Sequence, residues 1–470
     1  MIKNRFLRNV SVNTFQLIIN QVFGLAIFYA LSKGVDKNIF GQINWSLAVL
    51  LSVFGILTFG IDQVMVKKIA AGYNRFTIFS TYLIHVLISG GIFYGLLLLL
   101  YFWFPTLLTQ ETFLLLIGIG KLAIFFSTPF KQLAVGLEKF SALLVMSIVS
   151  NVIRGSLLLV LLILHKMSVH LVLVIFIGGD LCELALCMIL AKPILKTPLR
   201  IRWHKARQVL MIRESLPQTG VVLFTGIMSR FDWILIGLLV SNSKLAEYSF
   251  AYKIFEVTTL PLMIVAPVMI PLFTRLLKDP RNLMNLSFFL EWQIIIASFV
   301  ALMLNICWVP FIDFISDGKY GSVNSGTILI LSLSMPLLYF SNYMWTIQFA
   351  RGNLRLVFKI MAVSFVVNIF GCCILIPLYK NEGAAIAYLV TVLVQLIFYL
   401  HKNTLTIARP MDYRLWIWPL TAVFCGFFTL RYSTHTTTSI LFAIASYSVV
   451  VLASKQVRIK DWKTLQSLYQ

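Results

Sequence analysis

Residues 229–239 read "SRFDWILIGLL", an arginine and an aspartate two positions apart in an otherwise apolar run. What surrounds the run decides what those charges mean. The chain has 470 residues, 59% hydrophobic and only 12% charged, with a mean hydropathy of +0.90. Soluble domains carry about 25% charged and about 45–50% apolar residues. So much apolar surface cannot be hidden in a soluble core, so the solvent is lipid. A net charge of +22 would suggest nucleic acid on a soluble protein. Here the basic residues stand in short clusters between apolar runs, so a nucleic-acid partner is not expected.

A helix needs about 20 apolar residues to cross a bilayer. Fourteen runs qualify, near 10–32, 42–64, 78–104, 111–130, 141–164, 169–190, 215–240, 246–272, 287–310, 326–350, 358–378, 383–400, 414–430 and 437–454. The expected fold is therefore an all-α polytopic membrane protein of about 14 transmembrane helices. With the N-terminus inside, the connections on that side hold 28 Lys and Arg and those on the other side 7. This asymmetry predicts both termini in the cytoplasm. "MIKNRFLRNV" leads into a run long enough to stay in the membrane, with no small-residue cleavage site, so no removable signal peptide is expected.

The most basic connection, "AKPILKTPLRIRWHKARQVLMIRES" (191–215), divides the chain and would lie against anionic headgroups. Stretches from Val135 and from Ala350 share a glycine in a basic turn, an asparagine about 15 residues on (Asn151, Asn368) and an outside lysine (Lys166, Lys380). The pattern suggests two six-helix pseudo-repeat lobes around a central cavity, 1–190 and 214–403, joined by a basic cytoplasmic loop at 191–213. Residues 404–470 add spans thirteen and fourteen and a basic tail. Parallel repeats of this kind are a transporter arrangement.

Four cations lie deep within spans: Lys121, Arg154, Arg230 and Lys253. Four acids lie at similar depth: Asp180, Glu183, Asp232 and Glu256. Each such charge costs about 2.5–3.5 kcal/mol at the centre of a span, so they must face one another or water inside the bundle. Arg230 and Asp232 are about 200° apart on a helix and cannot pair. Distance from the turns predicts Arg154 level with Asp180, Asp232 level with Lys253, and Arg230 near Glu256. Lys121 has no level-matched acid in the spans that adjoin it in sequence and reads as the free cation. Purely structural ion pairs are the competing reading. Buried pairs only about break even against apolar packing, however, and intramembrane charge is by default functional.

Other polar residues carry less. His85 reads either as a proton carrier or as a hydrogen-bonded core histidine. Asn13, Gln16 and Asn20 share a face and would bond sugar hydroxyls or a neighbouring helix. Trp45, Trp103, Trp308, Trp416 and Trp418 lie near span ends, as an interfacial belt does, whereas Trp233 is deep enough to stack on a sugar ring. The six cysteines (Cys182, Cys187, Cys307, Cys372, Cys373 and Cys425) all lie in apolar stretches with no CxxC pair and read as buried hydrophobes. The chain contains no P-loop, no HExxH and no spaced Cys/His set, so neither an enzyme, a metal nor a cofactor is expected.

"LSKGVDKNIFGQINWSLAVLLSVFGILTFGIDQVMVKKIA", "SRFDWILIGLL" with "LAEYSFAYKIFEV", and "IPLYKNEGAAIAYLVTVLV" occur in that order. Together they resemble the Wzx-type bacterial polysaccharide flippases, relatives of the multidrug and toxin extrusion transporters, over about 400 residues. The resemblance implies a two-lobed fold that flips an undecaprenyl-pyrophosphate-linked oligosaccharide across a bacterial inner membrane. O-antigen or capsule would be the product, ion antiport the drive, and a glycan polymerase with its chain-length machinery the partner. A cationic lumen, implied by the family, maps onto Lys121, Arg154, Arg230 and Lys253. A drug or metabolite exporter is the alternative and would want a net acidic cavity. A membrane glycan-assembly enzyme would want a long reactive outside loop, and the longest here, "FIDFISDGKYGSVNSG", has none of that length.

Overall fold

The computed structural model describes residues 2–103, 112–195, 205–262, 273–274, 283–401, 414–432 and 436–454. Those residues are almost entirely helical and include no strand. In lipid only a helix satisfies every backbone N–H and C=O within its own segment, short of a closed barrel. The N-terminal elements are α1 (Ile2–Gly34), α2 (Lys37–Leu57), α3 (Ile61–Ala70), α4 (Arg75–Trp103), α5 (Thr112–Gly136), α6 (Phe140–Ile163) and α7 (Val169–Leu195). Then follow α8 (Lys205–Met228), α9 (Phe231–Leu239), α10 (Asn242–Thr258), α11 (Leu283–Ser316), α12 (Ser325–Ala350), α13 (Leu354–His401), α14 (Arg414–Tyr432) and α15 (Thr436–Ala453).

Ten described helices are long and apolar enough to cross a membrane. One of them, α13, covers two expected spans, bent at Lys380 where φ 51 and ψ −123 are not helical. The expected seventh span is broken: α8 stops at Met228 and α9 starts at Phe231, with Arg230 between them at φ −145. A helix break at membrane depth is tolerated where the backbone is enclosed by protein or lines a cavity. The expected eighth span runs as α10 to Thr258, and residues 263–272 lie outside the described residues. The thirteenth contains a shorter apolar helix, Leu415–Thr429. Residues 196–204 of the basic loop and the C-terminal tail from 455 lie outside the described residues.

Two compact units are present, 1–250 with 372–381, and 251–371 with 382–470. They are defined by packing, whereas the lobes expected at 1–190 and 214–403 rest on a pattern in the sequence. Within the first unit α8, α9 and the start of α10 are fastened along α2 and α3. Glu247 takes both Lys37 (3.2 Å) and Lys244 (2.8 Å). Asn44 donates to Ser249 Oγ (3.0 Å), Trp45 Nε1 donates to the Ile234 carbonyl (3.3 Å), and Thr219 Oγ1 donates to the Phe59 carbonyl (2.8 Å). A Cβ on Gly41 would fall 1.8 Å from the Asn242 carbonyl oxygen, so only glycine admits that approach. The second unit is centred on Phe340, Tyr343, Trp418 and Tyr399.

Three of the tryptophans expected in an interfacial belt have other roles. Trp45 is spent on α9, Trp308 is buried and donates to the Gly321 carbonyl (2.9 Å), and Trp418 is wholly buried. Trp103 is largely exposed, as the belt requires.

Candidate functional site

The first unit holds a buried charge cluster made by α5, α6 and α7. Lys121 Nζ lies 2.7 Å from Asp180 Oδ2, and Arg154 Nη2 lies 3.2 Å from Asp180 Oδ1. Asp180 is 1% exposed, Lys121 6% and Arg154 8%. Arg154 is held in place by its own helix, donating to the Ser150 carbonyl, Ser150 Oγ and Asn151 Oδ1 at 3.0–3.1 Å. Glu183, one turn beyond Asp180 on the same face of α7, takes Lys131 and the Ser150 hydroxyl. One turn before Asp180, the Phe176 ring lies 5.9 Å from Lys121 and 5.3 Å from Arg154, supporting both cations with its π-face.

Two glycines permit this approach of the helices. A Cβ on Gly120 would fall 2.7 Å from Asp180 Oδ2, and one on Gly179 would fall 3.0 Å from Arg154 Cγ. The cluster contains three cations and two carboxylates. Asp180 Oδ1 is within ion-pair distance of Arg154 yet accepts no hydrogen bond among the described residues. One buried acceptor is thus left with capacity for a proton or another donor.

The expected level of Arg154 with Asp180 is what the structure has. Lys121 is not the free cation it was expected to be. Its partner lies on α7, two spans on, because α5 packs against α7 as well as against its neighbours in sequence. Lys131, read from sequence as part of a cytoplasmic loop, lies within α5, which runs on to Gly136. The only sequence signal was the absence of a helix breaker between Pro129 and Gly136. Asn151, besides accepting from Arg154, donates to Asn20 Oδ1 (3.0 Å), so one member of the polar stripe on α1 bonds a neighbouring helix.

The opening stretch has a different arrangement from the one its spacing predicts. Asp232, in the first turn of α9, accepts from the Tyr248 hydroxyl at 2.6 Å and from the Trp233 backbone N–H at 2.9 Å. Lys253 pairs with Glu256 at 2.8 Å, three residues on along α10. Within the first unit the aspartate side chain is thus met by the hydroxyl of a tyrosine on α10. Arg230, at the helix break, stands over the Trp233 ring at 4.4 Å. Trp233 itself is 4% exposed, so in this conformation its indole is covered.

His85 reaches the Leu57 carbonyl through Nε2 at 2.9 Å and packs edge-on to Phe59. Leu57 ends α2, and its carbonyl has no partner within the helix. The histidine satisfies it, which is the core-histidine reading. Asn368, the counterpart of Asn151 in the repeat pattern, bonds Thr391 at 3.4 Å. Among the described residues no group of three or more His, Cys, Asp or Glu could hold a metal ion.

The fold is similar to that of the lipid II flippase MurJ in an inward closed conformation. The TM-score is 0.74 at 14% identity, over 96% of this chain and 100% of that one. An inward-facing multidrug resistance MATE family transporter of the MOP superfamily gives 0.64 at 13% identity, over 82% and 96%. A mutant of the Vibrio cholerae MATE transporter VcmN gives 0.59 at 12%, over 86% and 98%. At these identities the likeness is one of fold alone. A comparison with curated protein sequences returned no match. The sequence pattern of the family described as "Polysaccharide biosynthesis protein" matches residues 6–277, more than half of the chain, and the protein belongs to that family.

Proposed function

We propose that the protein is a flippase moving an undecaprenyl-pyrophosphate-linked oligosaccharide from the cytoplasmic to the periplasmic leaflet of a bacterial inner membrane, by alternating access. Its product would feed O-antigen or capsule assembly. The observation that carries this reading is the buried cluster of three cations and two carboxylates around Asp180. A pyrophosphate cannot cross hydrocarbon unaided. Lys121 and Arg154, already desolvated and aimed at an oxyanion, suit its oxygens through charge-assisted hydrogen bonds. As phosphate takes those donors, Asp180 loses its countercharges and is left open to another cation. That exchange gives an ion-antiport drive a place to act, with Glu183 as the second acid.

A drug exporter selecting organic cations would need the opposite balance of charge in this cluster, so the flippase reading is the better one. In cells lacking the protein, lipid-linked repeat units are expected to accumulate with their sugars on the cytoplasmic leaflet, and polymer is expected to disappear from the surface. Unchanged surface glycan with altered drug susceptibility would reverse the choice.

The orientation rests on the 28-to-7 bias of basic residues. A cysteine at the exposed Ser168 is expected to react with an impermeant maleimide in intact cells, and a cysteine at Lys205 only after permeabilisation. Labelling of position 205 from outside would invert the topology.

A further inference from the structure

We propose that a cavity at the basic end of the first unit holds the phosphate head group of an anionic phospholipid from the cytoplasmic leaflet. The cavity measures about 350 Å³ and lies where the end of α3, the start of α4 and α8 meet. Ligand pockets run from about 300 to 1,000 Å³, so it has room for a head group and little more. Two cations reach its wall, Lys68 from the last turn of α3 and Arg207 from the first turn of α8. Arg207 is exposed and has no acid partner among the described residues. Lys68 pairs with Glu214 at 2.6 Å and stands 5.8 Å from the Tyr73 ring centroid. An ammonium has three donors, and Glu214 is itself 39% exposed, so that pair is weak and leaves Lys68 able to take a second anion.

The helix N-terminus beside the cavity is already occupied. Asn74 Oδ1 accepts the backbone N–H groups of Phe76 and Thr77 at 3.1 and 3.2 Å. Anion binding there falls to the two side chains. One turn on from Arg207 along α8 the lining turns apolar, with Met211 buried and Leu210 half exposed. A cavity that passes from two cations to an apolar helix face fits an amphiphile better than a free ion. A phosphate meets the cations, and the glycerol and first methylenes follow Leu210. The residues joining α3 to α4 and those leading into α8 belong to the basic, inward side of the chain, where anionic lipid concentrates. The inference rests on that orientation and not on which substrate is flipped.

The test uses the full chain, delipidated in neutral detergent, with lipid adducts counted by native mass spectrometry. The probes are phosphatidylglycerol, phosphatidylcholine, undecaprenyl phosphate and inorganic phosphate. Phosphatidylglycerol is expected to bind saturably and ahead of phosphatidylcholine. Arg207→Gln should weaken phosphatidylglycerol binding about tenfold, the worth of one charge-assisted hydrogen bond, while Arg207→Lys keeps most of it. Lys68→Gln, made separately, should weaken it as well. Equal binding by the wild type and both glutamine variants would overturn the site. Displacement of phosphatidylglycerol by an equal concentration of inorganic phosphate would make it a simple anion site and overturn the lipid assignment. Preference for undecaprenyl phosphate would assign it to the transport pathway instead. Because binding is read without transport, its failure leaves the flippase reading untouched. Failure of glycan export likewise leaves this site standing.

Discussion

Asp180→Asn is expected to leave little folded protein. Asp180 is the carboxylate that Lys121 and Arg154 share, and it is 1% exposed. Removing one partner of a buried ion pair costs about 3–5 kcal/mol because the other charge is stranded. Here two cations would be stranded together, within a native stability of about 5–15 kcal/mol. The yield of monodisperse protein after detergent extraction is the measurement. Adding Lys121→Met to Asp180→Asn should recover part of that yield, because one of the two stranded charges is then gone and the losses are not additive. A wild-type yield from the single variant, or strictly additive losses in the double, would mean that the three side chains do not act as one cluster.

The helical class and most span positions were legible from hydropathy, because a membrane leaves the backbone no other economy. The pairing of Arg154 with Asp180 was legible too, since equal distances from a tight hairpin turn put two residues at one depth. The partner of Lys121 was not. Depth counted from a turn reports only sequence neighbours, and α5 meets α7 across α6's place in the order. Lys131 was not legible, because a charge at the end of an apolar run looks like the start of a loop, although the helix continues to Gly136. A tyrosine hydroxyl satisfies a buried carboxylate without adding a second charge, and nothing in the spacing marks Tyr248 for that task. The break at Arg230 carries no proline to announce it. The belt failed at Trp45, Trp308 and Trp418 because an indole near a span end is amphipathic either way, and a helix neighbour competes with the headgroups for it.

Lys121→Ala should separate substrate handling from folding. Unlike Asp180→Asn, it leaves no cation stranded: Asp180 keeps Arg154 at ion-pair distance, 3.2 Å, and Arg154 keeps Ser150 and Asn151, although Asp180 Oδ2 loses its hydrogen bond. The variant removes a cation from a cluster that has one in excess, so accumulation is expected to fall far less than in Asp180→Asn. Export is a different matter. A pyrophosphate loses one of the two donors that Asp180 now occupies, and each charge-assisted hydrogen bond is worth about 1.5–3 kcal/mol, so flux should fall about 10- to 100-fold. Lys121→Arg should keep part of the activity, since the charge persists while a planar fork replaces a point donor beside Asp180 and over Phe176. Surface glycan, measured alongside the amount of protein in the membrane, decides between the readings. Normal export by Lys121→Ala would remove Lys121 from the site. A variant that fails to accumulate would make the lysine part of the fold, and the phosphate would then have to be met by Arg154 and Lys131 alone.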